Sequence, residues 1–310
     1  MTRYEPRLDD ARVAEAAANN HALWGAGRTL EEHVAYNREQ LRRAGPEILR
    51  CVGLVDDHGA LVASIKRYGL ALSIDGRPER AVGIGAVFTP AAHRKKGLAA
   101  RLVGEVLREA EEHGYAAALL YSDIDPAYYA RLGFVALDAS EHEADAGALP
   151  ADGALDVRPL GDDDLAWLLD LRARSLAGRT HLHRSRALHR FFTWRNAVSG
   201  AYALRDGPRD VGYLLATRDD PSRDLPELVG DSLWVDEWAA PGVDRARVLA
   251  TVRALAQRAG VRRVRAWLPP ELRCAPFTSR AREEALPMIA PLNGVTIDVA
   301  TAFLGSFEHF

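Results

Sequence analysis

Between Gly97 and His113 the apolar side chains Leu98, Val103, Val106, Leu107 and Ala110 recur with polar residues between them. That spacing lays one apolar stripe along a helix, and Gly114 supplies its stop. The pattern changes on both sides. Residues 80–89, RAVGIGAVFT, are apolar nearly throughout, as in a central strand, and Pro90 ends them. Residues 116–122, AAALLYS, form a second short apolar run. A strand, a crossover helix and a second buried strand predict a parallel pair.

The preceding segments read as a helix over 28–45 and two strands within 47–76. Thr29 and Glu32 are placed as a capping box and Gly45 as a stop. The strands are divided by DDHG, and a further turn is expected at Asp75-Gly76. DPAYYARLGF (125–134) predicts a short helix with Pro126 in its first turn. Residues 141–155, EHEADAGALPADGAL, are polar and rich in Gly, Ala and Asp, and are expected as a linker.

After that stretch the plan starts again. A strand and helix over 155–175 answer those near the start, and residues 189–198 are expected to be helical. Residues 200–219 predict a hairpin. Residues 228–240, 244–260 and 261–269 repeat the order strand, helix, strand. The last segment, VTIDVATAFLGSFEHF, is expected as an edge strand. Two copies of one α/β plan account for this order, with domains at 1–145 and 156–310 joined by 146–155.

Composition narrows the function. A length of 310 residues suits two domains, and 48% apolar residues supply two cores. The net charge of −3 gives no reason to expect nucleic acid or a membrane surface as partner. Cys51 and Cys274 lack metal-ligand spacing, which points to a reduced compartment. With no apolar leader near the start, a cytoplasmic protein is expected.

The chain holds only three lysines, and two of them, Lys95 and Lys96, precede Gly97 at the strand-to-helix junction. The first N–H groups of a helix lack intrahelical partners and carry the positive end of its dipole, so such a junction can hold an anion. Arg94, Lys95 and Lys96 add charge at the rim.

In this context VFTPAAHRKKGLAARL resembles the signature of the GNAT superfamily of N-acetyltransferases, Arg/Gln-x-x-Gly-x-Gly/Ala, here Arg94 to Ala99. AYYARLGF (127–134) is similar to the family's aromatic-Tyr-x-x-Leu-Gly-Phe element at the expected distance downstream. The resemblance covers roughly residues 1–145. The second half shares the plan but has no Arg-x-x-Gly-x-Ala, which implies a degenerate second copy. The implied fold is two GNAT-like domains. Each has a mixed, mostly antiparallel sheet with a central splayed parallel strand pair, flanked by helices.

The resemblance implies an N-acetyltransferase that uses acetyl-CoA and no metal. Its partners would be acetyl-CoA and a small-molecule primary amine, in a monomer or homodimer. Val87, Phe88 and Thr89 would pair with the pantetheine arm, and Arg94, Lys95, Lys96, Gly97, Leu98, Ala99 and Ala100 would hold the pyrophosphate. Tyr129 would donate a proton to the leaving thiolate. For the base, Asp123 follows the second parallel strand. A weaker likeness to tandem relatives of the enhanced intracellular survival type, which carry an extra domain, brings in the carboxylate of Phe310. His21, Trp24, Tyr36 and Glu237 are candidates for the acceptor pocket, with packing as the competing role. His181, His183 and His189 read as a solvated segment, not a metal site. A non-catalytic acyl-CoA-binding sensor or scaffold is the alternative function.

Overall fold

The computed structural model describes residues 2–218, 231–269, 272–273 and 275–310; Cys274 and the start of the strand expected at 228 lie outside them. The N-terminal part runs β1 (Thr2–Glu5), α1 (Asp10–Trp24), α2 (Leu30–Ala44), β2 (Leu49–Asp56), β3 (Leu61–Ile74) and β4 (Arg77–Phe88). It continues with α3 (Leu98–Glu112), β5 (Ala117–Ser122), α4 (Ala127–Ala130) and β6 (Val135–Ala136). Thr29 and Glu32 form the expected capping box of α2. The apolar stripe of α3 buries Leu102, Val103, Val106 and Ala110 against the sheet core. The two expected parallel strands, β4 and β5, pair side by side.

The remainder runs β7 (Ser140–Asp145), β8 (Asp156–Pro159), α5 (Leu165–Ser175), β9 (His181–Leu182), α6 (Arg186–Arg195), β10 (Gly200–Asp206) and β11 (Arg209–Arg218). Then come β12 (Ser232–Ala239), α7 (Arg245–Ala259), β13 (Arg263–Ala266), β14 (Thr278–Ala281) and β15 (Leu286–Pro291). The first sheet has the order β1-β2-β3-β4-β5-β15-β6, with β9 on β3. The second has the order β14-β7-β13-β12-β11-β10-β8. Each is a mixed sheet with one parallel pair at its centre, β4–β5 and β12–β13.

The two sheets exchange strands. β15, from late in the chain, completes the first sheet between β5 and β6, while β7 lies between β13 and β14 in the second. Residues 141–145, expected as linker, are therefore strand. Their polar character is matched by arginines on neighbouring strands: Arg265 reaches Glu143 at 2.7 Å and Arg280 reaches Glu141 at 2.9 Å. One core cluster also spans both halves, joining Leu49, Tyr68 and Leu70 to Phe191, Tyr213 and Phe307.

Residues 295–310, expected as an edge strand, are instead turns and a short 3-10 helix at Ser306–Glu308. Their apolar residues Ile297, Leu304 and Phe307 are buried in the shared core without a strand partner, apart from a single bridge between His181 and Phe303. Among the described residues, no helix is long and apolar enough to cross a membrane.

Candidate active site

The parallel register of β4 and β5 ends at Ile84 opposite Leu120. Just beyond, β4 carries one extra residue against β3, because Lys66 pairs with Gly85 while Ser64 pairs with Phe88. Ala86 takes up the irregularity at φ 48°, in the left-handed region that an alanine seldom enters. The pairing with β5 does not extend to Ala86 or Val87.

The chain then passes through Pro90 to α3. Gly97 is the N-cap residue at φ 71°, and no side chain caps the helix. A Cβ on Gly97 would meet nothing within 4 Å, so glycine supplies the left-handed turn and leaves the helix end uncovered. The first helical bond runs from Arg101 N to Gly97 O. The amides of Leu98, Ala99 and Ala100 consequently have no acceptor within the helix. Lys95 also adopts a left-handed φ of 61°, and Arg94, Lys95 and Lys96 are exposed around the junction. Arg94 donates to Thr89 O at 3.1 Å and Lys96 to Ala92 O at 3.1 Å, which folds the loop onto itself. The Oγ of Thr89 is buried without a partner.

On the other side of Ala86 lies a cavity of about 160 Å³. Trp24, Tyr36, Tyr68, Tyr121 and Phe310 give it aromatic walls, and Arg28, Lys66 and Arg195 bring positive charge. Asp123 is also in the lining, with Oδ1 accepting from Ala285 N at 2.9 Å. Burial lowers the Lys66 ammonium to about 8, with Arg195 and Arg28 adding to the effect and the Cys51 thiol opposing it. Burial, then the charges of Lys66, His21 and Arg28, push His33 down to about 4. Burial raises the Tyr68 phenol to about 12.

Of the sequence-derived candidates, Trp24, Tyr36, Asp123 and Phe310 meet in this cavity. His21 stands behind it, its ring 5.4 Å from that of His33 and its Nε2 bonded to Arg28 O at 2.7 Å. Tyr129 lies in the adjoining core, 5.0 Å from the Tyr128 ring and 6.0 Å from Phe134. Burial, with Tyr128 and Asp123 adding to it, pushes its phenol up to about 12. Glu237 is not brought to the cavity. Its carboxylate is taken by Arg184 at 2.6 Å, Arg172 at 3.0 Å and the Tyr213 hydroxyl at 2.5 Å. Burial alone would raise Glu237, but the two arginines hold it well below the usual carboxylate range.

Lys66, Arg28 and Arg195 are cavity residues that sequence reasoning did not single out. Lys66 alone gave a signal, as a rare lysine within an apolar strand. Arg195 is in place because α6 packs beside the end of the chain, where it donates to His309 O at 2.6 Å.

The final segment is held from the second half. Glu308, 1% exposed, pairs with Arg184 at 2.8 Å and with Arg172. Asn196 donates to Phe307 O at 2.7 Å, and His189 stacks on the Phe307 ring at 5.1 Å. His181 and His189, expected in a solvated segment, are instead buried, and Arg184 between them is part of the anchoring cluster. So fastened, the chain lays the Phe310 ring 4.5 Å from Tyr68 and 5.4 Å from Tyr121. The Phe310 backbone reaches Gly85, where a Cβ would lie 3.3 Å from its oxygen. A side chain at 85 would crowd this approach.

The second sheet repeats the central geometry and lacks the anion site. Its parallel pair ends at Val235 opposite Ala266, and β12 has an extra residue, Asp236, against β11. At the corresponding helix, however, Asp244 caps α7 with its own side chain, accepting from Ala246 N at 3.0 Å. A carboxylate therefore occupies the helix end that α3 leaves open.

Residues 10–136 match a family model described as an acetyltransferase (GNAT) domain. No curated protein matches the chain in sequence. Several solved structures share the fold. A conserved Enterococcus faecalis protein described as a probable N-acyltransferase superposes with a TM-score of 0.71 at 10% identity, covering 94% of this chain and 73% of that one. A GCN5-related N-acetyltransferase from Kribbella flavida gives 0.69 at 19% identity, covering 93% and 70%. Eis1 from Mycobacterium abscessus gives 0.61 at 18% identity, covering 94% and 74%. At such identities these likenesses speak for the fold alone.

Proposed function

We propose that this chain, whose residues 10–136 match a family model described as an acetyltransferase (GNAT) domain, moves an acetyl group from acetyl-CoA to the primary amine of a small molecule. The observation carrying this reading is the meeting at Ala86 of three features: a bulged, unpaired edge of β4, a nearby helix end with free amides, and an aromatic cavity. Phosphates would be met by the amides at the start of α3 and by Lys95 and Lys96, and the pantetheine amides by the backbone of Val87, Phe88 and Thr89. A backbone N–H near Val87 would then face the thioester oxygen as negative charge develops on it.

The amine nitrogen attacks the carbonyl carbon, the new C–N bond forms and the C–S bond breaks. One proton leaves the ammonium before attack and a second leaves the nitrogen as the intermediate collapses. The departing sulfur takes a proton from Tyr129, whose phenol holds its proton at neutral pH because its pKa is pushed up to about 12, and the second proton from the nitrogen restores that phenol. Asp123, which lines the cavity, is the acceptor for the proton that leaves the ammonium. The second half serves to complete the first sheet with β15 and to hold the final segment in the cavity, and its own helix end, capped by Asp244, binds no cofactor.

Release of free thiol from acetyl-CoA, followed across a panel of primary amines, tests the reading. Amine-dependent release supports it, and a folded protein that binds acetyl-CoA yet releases no thiol with any amine overturns it.

A further inference from the structure

The cavity beside Ala86 is rich in unneutralised positive charge. Among the described residues Arg28, Lys66 and Arg195 have no carboxylate within ion-pair distance, although the chain carries more acidic than basic side chains overall. Several buried arginines elsewhere are paired: Arg172 and Arg184 with Glu237 and Glu308, Arg265 with Glu143. In the cavity the same task falls to neutral acceptors. Lys66 donates to Gln40 Oε1 at 3.0 Å, Arg28 lies over the Tyr36 ring at 4.1 Å, and Arg195 donates to the carbonyl of His309. Partly buried cations held by neutral groups are poised for an anion that arrives with a ligand.

The anionic groups nearby do not change that balance. Asp123 turns one oxygen to the backbone of Ala285 and forms no ion pair with any of the three cations. His33, 3% exposed, also lines the cavity, with its Nδ1 buried and without a partner. The rest of the wall combines the aromatic rings of Trp24, Tyr36, Tyr68, Tyr121 and Phe310 with the amide side chains of Asn20, Asn37 and Gln40. A polycation would place its surplus ammonium groups against three positive side chains, at a cost in every binding mode.

We infer that the acceptor is an amine that also bears a carboxylate and an apolar body, in the manner of an α-amino acid with an aromatic or branched side chain. Arg28, Lys66 and Arg195 take the carboxylate, and the aromatic wall takes the body. This inference rests on the acetyl-transfer reading for the role of the amine, while the anion preference itself can be measured by binding alone.

The test uses phenylalanine, phenylalaninamide, phenethylamine and spermidine as acceptors. It also uses N-acetylphenylalanine and N-acetylphenylalaninamide as ligands that need no turnover. Removing a charge-assisted partner is expected to cost about tenfold or more. Phenylalanine should therefore exceed its amide and phenethylamine in kcat/KM by that factor, with spermidine weakest. N-acetylphenylalanine should bind in calorimetry by a similar factor more tightly than its amide. Lys66→Met, which keeps the stem and removes the charge, should bring the ratio of acid to amide affinity toward one. Equal binding of acid and amide, or tighter binding of the amide, overturns the inference, as does spermidine proving the best acceptor. If no amine is acetylated while the acid still binds preferentially, the acetyl-transfer reading fails and the anion site stands.

Discussion

Glu308 and Arg184 lie 124 positions apart in sequence and form a buried ion pair at 2.8 Å. The pair fastens the last residues of the chain to the second half, and three residues before it Gly305 begins the turn that carries Phe307 into the shared core. Arg184 also holds Glu237, and Arg172 holds both carboxylates, so two positive charges face two negative ones in a dry setting. Such a cluster fixes geometry more than it adds stability, but removing one member strands the others. This charge cluster adds to the bonds from Asn196 and Arg195 that hold the same segment.

Glu308→Gln should consequently weaken both fold and activity. The expected loss is about 3–5 kcal/mol for breaking a buried pair, read from the midpoint and slope of denaturant unfolding. Thiol release should fall further than stability alone explains, because His309 and Phe310 lose their anchor. Unchanged stability and turnover would contradict the anchoring role.

Tyr129→Phe isolates the proposed acid. The hydroxyl is removed while the ring keeps its packing on Tyr128 and Phe134. Turnover should drop by about 100-fold, the lower end of general-acid contributions. Acetyl-CoA affinity and unfolding midpoint should stay close to the parent values. A binding protein without turnover has no use for this phenol, so an inactive parent would favour the sensor function, and a fully active variant would remove Tyr129 from the chemistry.

The buried histidines make stability depend on pH. His33 is pushed down to about 4 and His189 to about 3, first by burial and then by the charges of Lys66 and Arg184 respectively. Both titrate near 6.5 in an unfolded chain, so between those values the unfolded state binds the extra protons. Stability should be complete above about 6.5 and fall as pH drops toward 4, by up to about 1.4 kcal/mol per pH unit for each histidine. Urea midpoints at pH 7, 6 and 5 check the slope, and His33→Gln should make it shallower. A midpoint constant from pH 7 to 5 would contradict the buried neutral state.

Much of the first sheet was legible because its signals are local. The capping box at Thr29 and Glu32, the apolar stripe of α3 and the apolar runs around it are each set by neighbouring residues. The strand exchange was not. β15 reads LPMIAP, and its two prolines argue against a strand, yet it pairs with β5 and the carbonyl of Pro287 still accepts from Leu137 N at 2.9 Å. β7 reads as linker because its partners in charge, Arg265 and Arg280, lie more than 120 positions away. The alternation VTIDVA looked like an edge strand, but this segment is held by side-chain anchors and core burial instead of a ladder. The anion junction could be seen in the spacing of Arg94 to Ala99. The cavity's cations could not, since Arg28, Lys66 and Arg195 come from three separate elements.

The proposed function requires one acetyl-CoA site per chain, at the open end of α3. Calorimetric titration of the purified protein with acetyl-CoA, beside Gly97→Glu, tests it most directly. The substitution sets a carboxylate at a left-handed position where the cofactor's phosphates would lie. A stoichiometry of one is expected for the parent, with a loss of affinity of about tenfold or more in a variant that remains folded. Two sites per chain, or a Gly97→Glu protein that binds as tightly as the parent, would contradict it.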